Sequence, residues 1–368
     1  MAPVAAPLLG VTPAAVGYFV AAAYVGSMIG TVTAGGWVAR FGPMRVSQAG
    51  MLLCGCGLAI AASGVAPAVI AGAVLIGLGY GPATPASSVI LARAAPPGKL
   101  ALTFSIKQTG VPLGTAIAGA VVPALVLSLG WQAAAVAIGI VCALFGLAIS
   151  PLRQRYDRER NRSAPVSLRS AFAPVPLVVR DRRIAQLAAT SFVYGGVQIT
   201  LVAYLVAFLT DSFALSLVLA GLVMSASQLA SVAGRIVWGI VADRVLSRRA
   251  TLGMLGVGMG LTAFTALLVR PDWPLWVLFV FAMALGATAV GWNGVFLAEL
   301  TRLAPPGRIG DVTGGSSFFT FLGVVATPPL FHVVLGLTSS YAATYAVFGV
   351  APLVAGALLL ATDKIADR

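Results

Sequence analysis

The chain has 368 residues, of which 59% are hydrophobic and only 9% charged. A soluble domain carries about 25% charged residues, so this composition excludes an ordinary soluble enzyme or binding module and calls for a lipid bilayer. The formal net charge of +13 does not indicate nucleic acid, because the basic residues lie in short loops between apolar runs.

Apolar runs of more than about 18 residues recur along the whole length. They do not alternate in polarity as barrel strands would. They are therefore read as helices, which satisfy their own backbone polar groups inside a membrane. Eleven spans are expected, roughly at 12–38, 45–65, 67–92, 101–128, 131–151, 184–210, 215–242, 250–269, 273–300, 311–336 and 340–361. The long polar segment from Arg153 to Arg183 contains RQRYDRERNR and then Pro165, Pro174 and Pro176. It reads as a linker with room for a short surface helix. The expected organisation is an N-terminal bundle at 1–152, the linker at 153–183 and a C-terminal bundle at 184–368.

Basic residues set the orientation. Of 23 Lys and Arg, all but Lys107, Arg235 and Arg270 fall in loops that the alternation of spans places on one side, the cytoplasmic one. Arg270 and Asp272 belong to an opposite, external loop. Residues 1–39 contain no Lys or Arg, so a cleavable leader is not expected there. Cys54, Cys56 and Cys142 all lie in apolar helices, where packing is the expected role and neither a metal site nor a disulfide framework is implied.

The sequence repeats itself. LARAAPPGK at Leu91–Lys99 matches LTRLAPPGR at Leu300–Arg308, 209 positions later, and GMLLCGCGL at Gly50–Leu58 matches GMLGVGMGL at Gly253–Leu261, 203 later. Ala39-Arg40 aligns with Asp243-Arg244, 204 later. Matches in one order at nearly one offset indicate two parallel repeats related by an axis along the membrane normal.

The turns WVARFG at Trp37–Gly42 and GIVADR at Gly239–Arg244 resemble the signature loop of the major facilitator superfamily, which joins the second and third helices of each half. The resemblance covers essentially the whole chain. It implies an all-α membrane protein of two helical bundles around a central cavity, here with five plus six helices. Residues 12–38 would correspond to the family's second helix, and Met1–Leu9 resembles only the outer end of a first one. A truncated start is the expectation. The resemblance also implies a latch at the signature loop, formed by Gly239, Asp243, Arg244, Arg248 and Arg249, with Arg40 in the first copy. Ala39 stands where the family has Asp, so a first-half latch lacks its carboxylate.

Within the spans, Arg235 lies eight residues before Asp243, about 12 Å along a helix. A charge at that depth faces a bundle interior or a water-filled cavity. It reads either as an anion-binding fork or as a tie to backbone carbonyls. The repeat has Thr31 there. Lys107, beside Gln108, reads as a second cavity cation or as a lysine snorkelling to the interface. Tyr194 and Gln198 share a helix face, and Asn293 is a further deep polar residue; each either orients a solute or joins helices. No mid-span Asp or Glu, no phosphate-binding loop and no nucleophile–base set appears, so neither ATP-driven cycling nor catalysis is expected. His332 is expected to pack.

The function expected is a secondary transporter, a symporter or antiporter, that moves a small organic anion by alternating access. H+ is a possible coupling ion. No cofactor and no metal is expected, the partners are the lipid bilayer and a small solute, and the protein is expected to be a monomer in a bacterial inner membrane. The N-terminus is placed outside and the C-terminus in the cytoplasm. Two other readings stay open: an efflux carrier for neutral or lipophilic compounds, and a non-transporting sensor or partner subunit.

Overall fold

The structure, a computed structural model, describes residues 16–158, 160–164 and 173–366. The expectation for Met1–Leu9 lies outside the described residues. Those residues are almost entirely helical and include no strand. The helices are α1 (Val16–Phe41), α2 (Pro43–Ala61), α3 (Ala66–Tyr80), α4 (Ala83–Ala94), α5 (Leu100–Gln108), α6 (Gly110–Leu129), α7 (Trp131–Ala148), α8 (Arg153–Tyr156), α9 (Pro174–Arg180), α10 (Arg182–Phe213), α11 (Leu217–Arg244), α12 (Arg248–Thr265), α13 (Leu275–Ala289), α14 (Asn293–Leu303), α15 (Ile309–Thr338) and α16 (Tyr341–Ala366). Among the described residues, nine helical segments are long and apolar enough to cross a membrane; α3 with α4 and α13 with α14 each count as one. The expected spans at 101–128 and 250–269 correspond to α5–α6 and α12, which are not among those nine.

Three of the expected spans are interrupted. Gly81-Pro82 separates α3 from α4, since Pro82 has no N–H to continue the ladder. Pro112 does the same to the carbonyl four residues earlier, that of Gln108, where α5 gives way to α6. The α13–α14 interruption falls at Val290–Trp292, around Gly291.

Helix ends follow local chemistry. Ser216 and Ser247 cap α11 and α12, accepting from Leu219 N at 3.3 Å and Ala250 N at 2.9 Å. The two Pro-Pro-Gly loops turn alike: Gly98 and Gly307 hold φ of 71° and 75°, a conformation that glycine adopts without penalty.

The chain forms two compact units. Unit 1 comprises residues 1–93, 113–185 and 303–321; unit 2 comprises 94–112, 186–302 and 322–368. Each therefore includes a segment from the other sequence half. In unit 1, α2 lies close on α7, where a Cβ on Gly55 would meet the Gly139 carbonyl at 2.7 Å; in unit 2, α12 lies on α16, where one on Gly260 would meet the Gly349 carbonyl at 2.7 Å. Small residues permit such approach in lipid, where helices gain nothing from apolar burial against each other. The repeat also recurs in the borrowed segments. A Cβ on Gly35 would lie 3.1 Å from Asp311 Cα in unit 1, and one on Gly239 would lie 2.9 Å from Leu102 Cα in unit 2.

Candidate functional site

Unit 2 gathers most of the residues singled out in the sequence. α5 begins after Lys99, which offers no side-chain cap, so its first N–H groups need an acceptor from elsewhere. Asp243, at the end of α11, supplies it: Ala101 N donates to Oδ1 at 3.0 Å and Leu102 N to Oδ2 at 2.8 Å. The Asp243 side chain is only 3% exposed. Arg248 approaches Oδ1 at 3.4 Å. The carboxylate thus caps a helix N-terminus and pairs with a cation at once. Gly239, one turn earlier, lets α5 come close: a Cβ there would sit 2.8 Å from Ser105 Oγ.

The remaining loop residues separate from this contact. Arg249 is buried and donates to Gln186 Oε1 at 2.5 Å and Thr362 Oγ1 at 3.3 Å, tying α12 to α10 and α16. Arg244 is exposed. Arg40 is exposed in unit 1, with its guanidinium 5.6 Å from the Phe41 ring centroid.

Arg235 is 2% exposed. Its Nε donates to the Val290 carbonyl at 3.0 Å and its Nη1 to the Gln108 carbonyl. Both carbonyls lie at helix interruptions, and Pro112 is what leaves that of Gln108 available. Lys107, part-buried, places Nζ 3.0 Å from Gln108 Oε1. One neutral residue, Gln108, therefore takes hydrogen bonds from two cations.

The same interruption of α13–α14 holds a second polar group. Gln198 Oε1 accepts from Trp292 Nε1 at 2.8 Å and from Asn293 Nδ2 at 3.2 Å, which fixes the amide with its N–H groups turned the other way. Tyr194 packs edge-on to Trp292 at 5.6 Å, but it is fully buried and its hydroxyl donates to the Leu252 carbonyl at 3.0 Å. It shares a ring with Gln198 as the helix face predicts, while its polar atom joins helices. Glu299 is held bidentately by Arg302 at 2.7 and 2.8 Å. His332 is exposed rather than packed.

One acid in the basic linker had no role in the sequence reading. Asp157 is 6% exposed in unit 1 and accepts from Met44 N at 2.8 Å and Arg45 N at 3.2 Å. It caps α2, whose N-cap residue Gly42 has no side chain, and Asn161 N adds a bond to the Ala39 carbonyl at 2.8 Å. Gly42 has φ 93° and packs directly against the Asp157 carboxylate, so this position excludes a side chain on both counts. The readable signal was the missing cap: Ser247 precedes α12, whereas the aligned turn of the first repeat reads Gly42-Pro43 and has no capping side chain.

The sequence model of the Major Facilitator Superfamily matches residues 1–328. The chain belongs to the Major Facilitator Superfamily. Like the family's transporters, it is an integral multi-pass membrane protein. An uncharacterised MFS-type transporter of Mycobacterium tuberculosis is 27% identical over 71% of this chain and 57% of its own length; the chain thus spans little more than half of that relative. A protein of the same organism named as a probable nitrate/nitrite transporter is 36% identical over 38% of this chain and 36% of its own. A hexuronate transporter of Bacillus subtilis is 22% identical over 50% of this chain and 44% of its own. Among solved structures, the fucose:proton symporter of E. coli superposes with a TM-score of 0.76 at 15% identity, covering 97% of this chain and 93% of that one. A human organic anion transporter gives 0.74 at 19%, covering 93% and 83%. At such identities the structures share the MFS fold.

Proposed function

We propose that this MFS protein is a secondary transporter that moves a small organic anion by alternating access across a bacterial cytoplasmic membrane, with its basic loops in the cytoplasm. The observation that carries this reading is the meeting of Lys107 and Arg235 on Gln108. Two like charges brought together away from bulk water repel and have lost hydration. A guanidinium fork offers bidentate binding to a carboxylate or other oxyanion, and an ammonium adds a second point charge. Gln198 and Asn293, at the interruption whose Val290 carbonyl Arg235 touches, supply neutral polar contacts beside the charges. The names of the nitrate/nitrite, hexuronate and organic anion transporters among its relatives and structural neighbours agree with an anionic cargo. The proton symporters among the neighbours make H+ the first coupling ion to test. In this reading Asp243, Gly239 and Arg248 form the latch, and Arg244, Arg249 and Arg40 stand outside it.

A second reading has one observation in its favour. Arg235 donates to two backbone carbonyls, as a structural tie in a carrier of neutral or lipophilic compounds would. Uptake by the full-length protein in liposomes, tested with nitrate, hexuronates and small carboxylates, separates the two. Anion transport requires uptake of at least one of them that is lost in Arg235→Gln; uptake unchanged in that variant favours the tie.

A further inference from the structure

α5 is nine residues long, about 13.5 Å, and α11 holds it at both ends. Asp243 takes its first N–H groups, and Arg235 takes the carbonyl of its last residue, Gln108. The two holding residues are eight apart, about 12 Å along α11, so the spacing of one helix fits the length of the other. The polarity fits too: an acid sits at the positive end of α5 and a cation at its negative end. Between the two ends the contact is made of small groups. Ser105 faces Gly239 and Gly294, and its buried hydroxyl has no hydrogen-bond partner.

We infer that cargo and α5 compete for Arg235, so that an arriving anion releases the C-terminal hold on α5 and loosens the latch. This rests on the anion reading above. A bidentate oxyanion takes two neighbouring N–H groups of the guanidinium fork. One edge of the fork includes Nε, held by Val290, and the other includes Nη1, held by Gln108. Lys107 sits on the Gln108 side, so an anion that engages both cations uses the edge containing Nη1. The carbonyl bond carries one charge, whereas an oxyanion on the same edge adds an opposite charge and takes two N–H groups at once, so the Gln108 carbonyl is the group that yields. α5 then keeps only its Asp243 end. The latch becomes a sensor of occupancy: the empty site holds α5 at two points and the loaded site at one.

Hydrogen–deuterium exchange of the α5 amides, with the full-length protein in lipid nanodiscs, tests this. Sodium nitrate and sodium glucuronate are the probes, and binding of each is measured separately by calorimetry. The probe that binds should speed exchange across residues 100–108 by about fivefold, the effect expected when one helix end loses its hold. Asp243→Asn should speed exchange at the same amides before any probe is added, which calibrates the loss of one end. Arg235→Gln should remove both binding and the exchange response. A probe that binds the wild type while exchange stays unchanged or slows would overturn the competition and leave the anion reading standing. Absence of binding by either probe would count against both. Should Arg235→Gln fail to fold, the wild-type titration and Asp243→Asn decide the question by themselves.

Discussion

Asp243 and Arg235 lie eight residues apart on α11 and hold opposite ends of α5. The first sequence half has no such pair: the aligned positions, 204 earlier, are Ala39 and Thr31. There the corresponding helix start, at Ile309, provides its own charge through Asp311, which pairs with Arg308 at 2.5 Å. One crossing between the sequence halves thus carries charged holds at both ends, and its counterpart does not.

The cap predicts a measurable cost. Asp243→Ala removes the acceptor for Ala101 N and Leu102 N and should destabilise α5 by about 1 to 2 kcal/mol, the range for losing a good N-cap. Asp243→Asn keeps one acceptor oxygen and should cost about half as much. Thermal unfolding in one detergent, read beside amide exchange at 100–108, checks both; equal stability of wild type and Asp243→Ala would contradict the cap.

Asp157 should matter as much for unit 1. Asp157→Ala leaves Met44 N and Arg45 N without their acceptor, at a cost of about 1 to 2 kcal/mol. Gly42 holds the N-cap position with φ 93° and Pro43 is already inside the helix, so no neighbouring side chain stands in for Asp157. Asp157→Asn, which keeps one acceptor oxygen, should lose less, and equal melting temperatures of wild type and Asp157→Ala would contradict the cap.

The close approach at Gly239 sets a steric test. A side chain there meets Ser105 Oγ at 2.8 Å and Leu102 Cα at 2.9 Å. Gly239→Val should push α5 off α11 at a cost of about 1 to 3 kcal/mol, while Gly239→Ala in a Ser105→Gly background should be milder. Amide exchange at residues 100–108 reads the contact, and exchange unchanged in Gly239→Val would contradict it.

Much of this was legible in the sequence because a membrane divides apolar spans from charged loops so sharply. Arg235 and Lys107 stand out as charges where lipid tolerates few, and the family resemblance marks Asp243 as part of a latch. The interruptions were harder. Pro112 marks the freed Gln108 carbonyl, but Val290 is followed only by a glycine, and neither residue says that one arginine reaches both. Tyr194 and Gln198 both meet Trp292, yet periodicity does not tell which polar atom is taken by a carbonyl. Asp157 was hidden in a run of arginines that reads as solvated linker, because the turn it caps is over a hundred residues away in sequence.

Gln198 offers a probe of the proposed site. Gln198→Ala removes the acceptor of Trp292 Nε1 and Asn293 Nδ2. A buried and a half-buried donor lose their partner, so stability should fall by about 1 to 3 kcal/mol. Gln198→Glu keeps an acceptor for both donors but adds a negative charge at the interruption that Arg235 also touches, so it should weaken anion binding by about tenfold while holding Trp292 in place. Calorimetric affinity together with tryptophan fluorescence separates the two effects; anion affinity unchanged in Gln198→Glu would place this group outside the anion's reach.

The most direct test of anion transport is uptake of radiolabelled nitrate, glucuronate and a small carboxylate into liposomes containing the full-length protein, with and without an imposed proton gradient. Wild type should accumulate at least one of them, and Arg235→Gln and Lys107→Met should each lower its initial rate by about tenfold or more. Equal rates in wild type and both variants would contradict the cation pair as the cargo site.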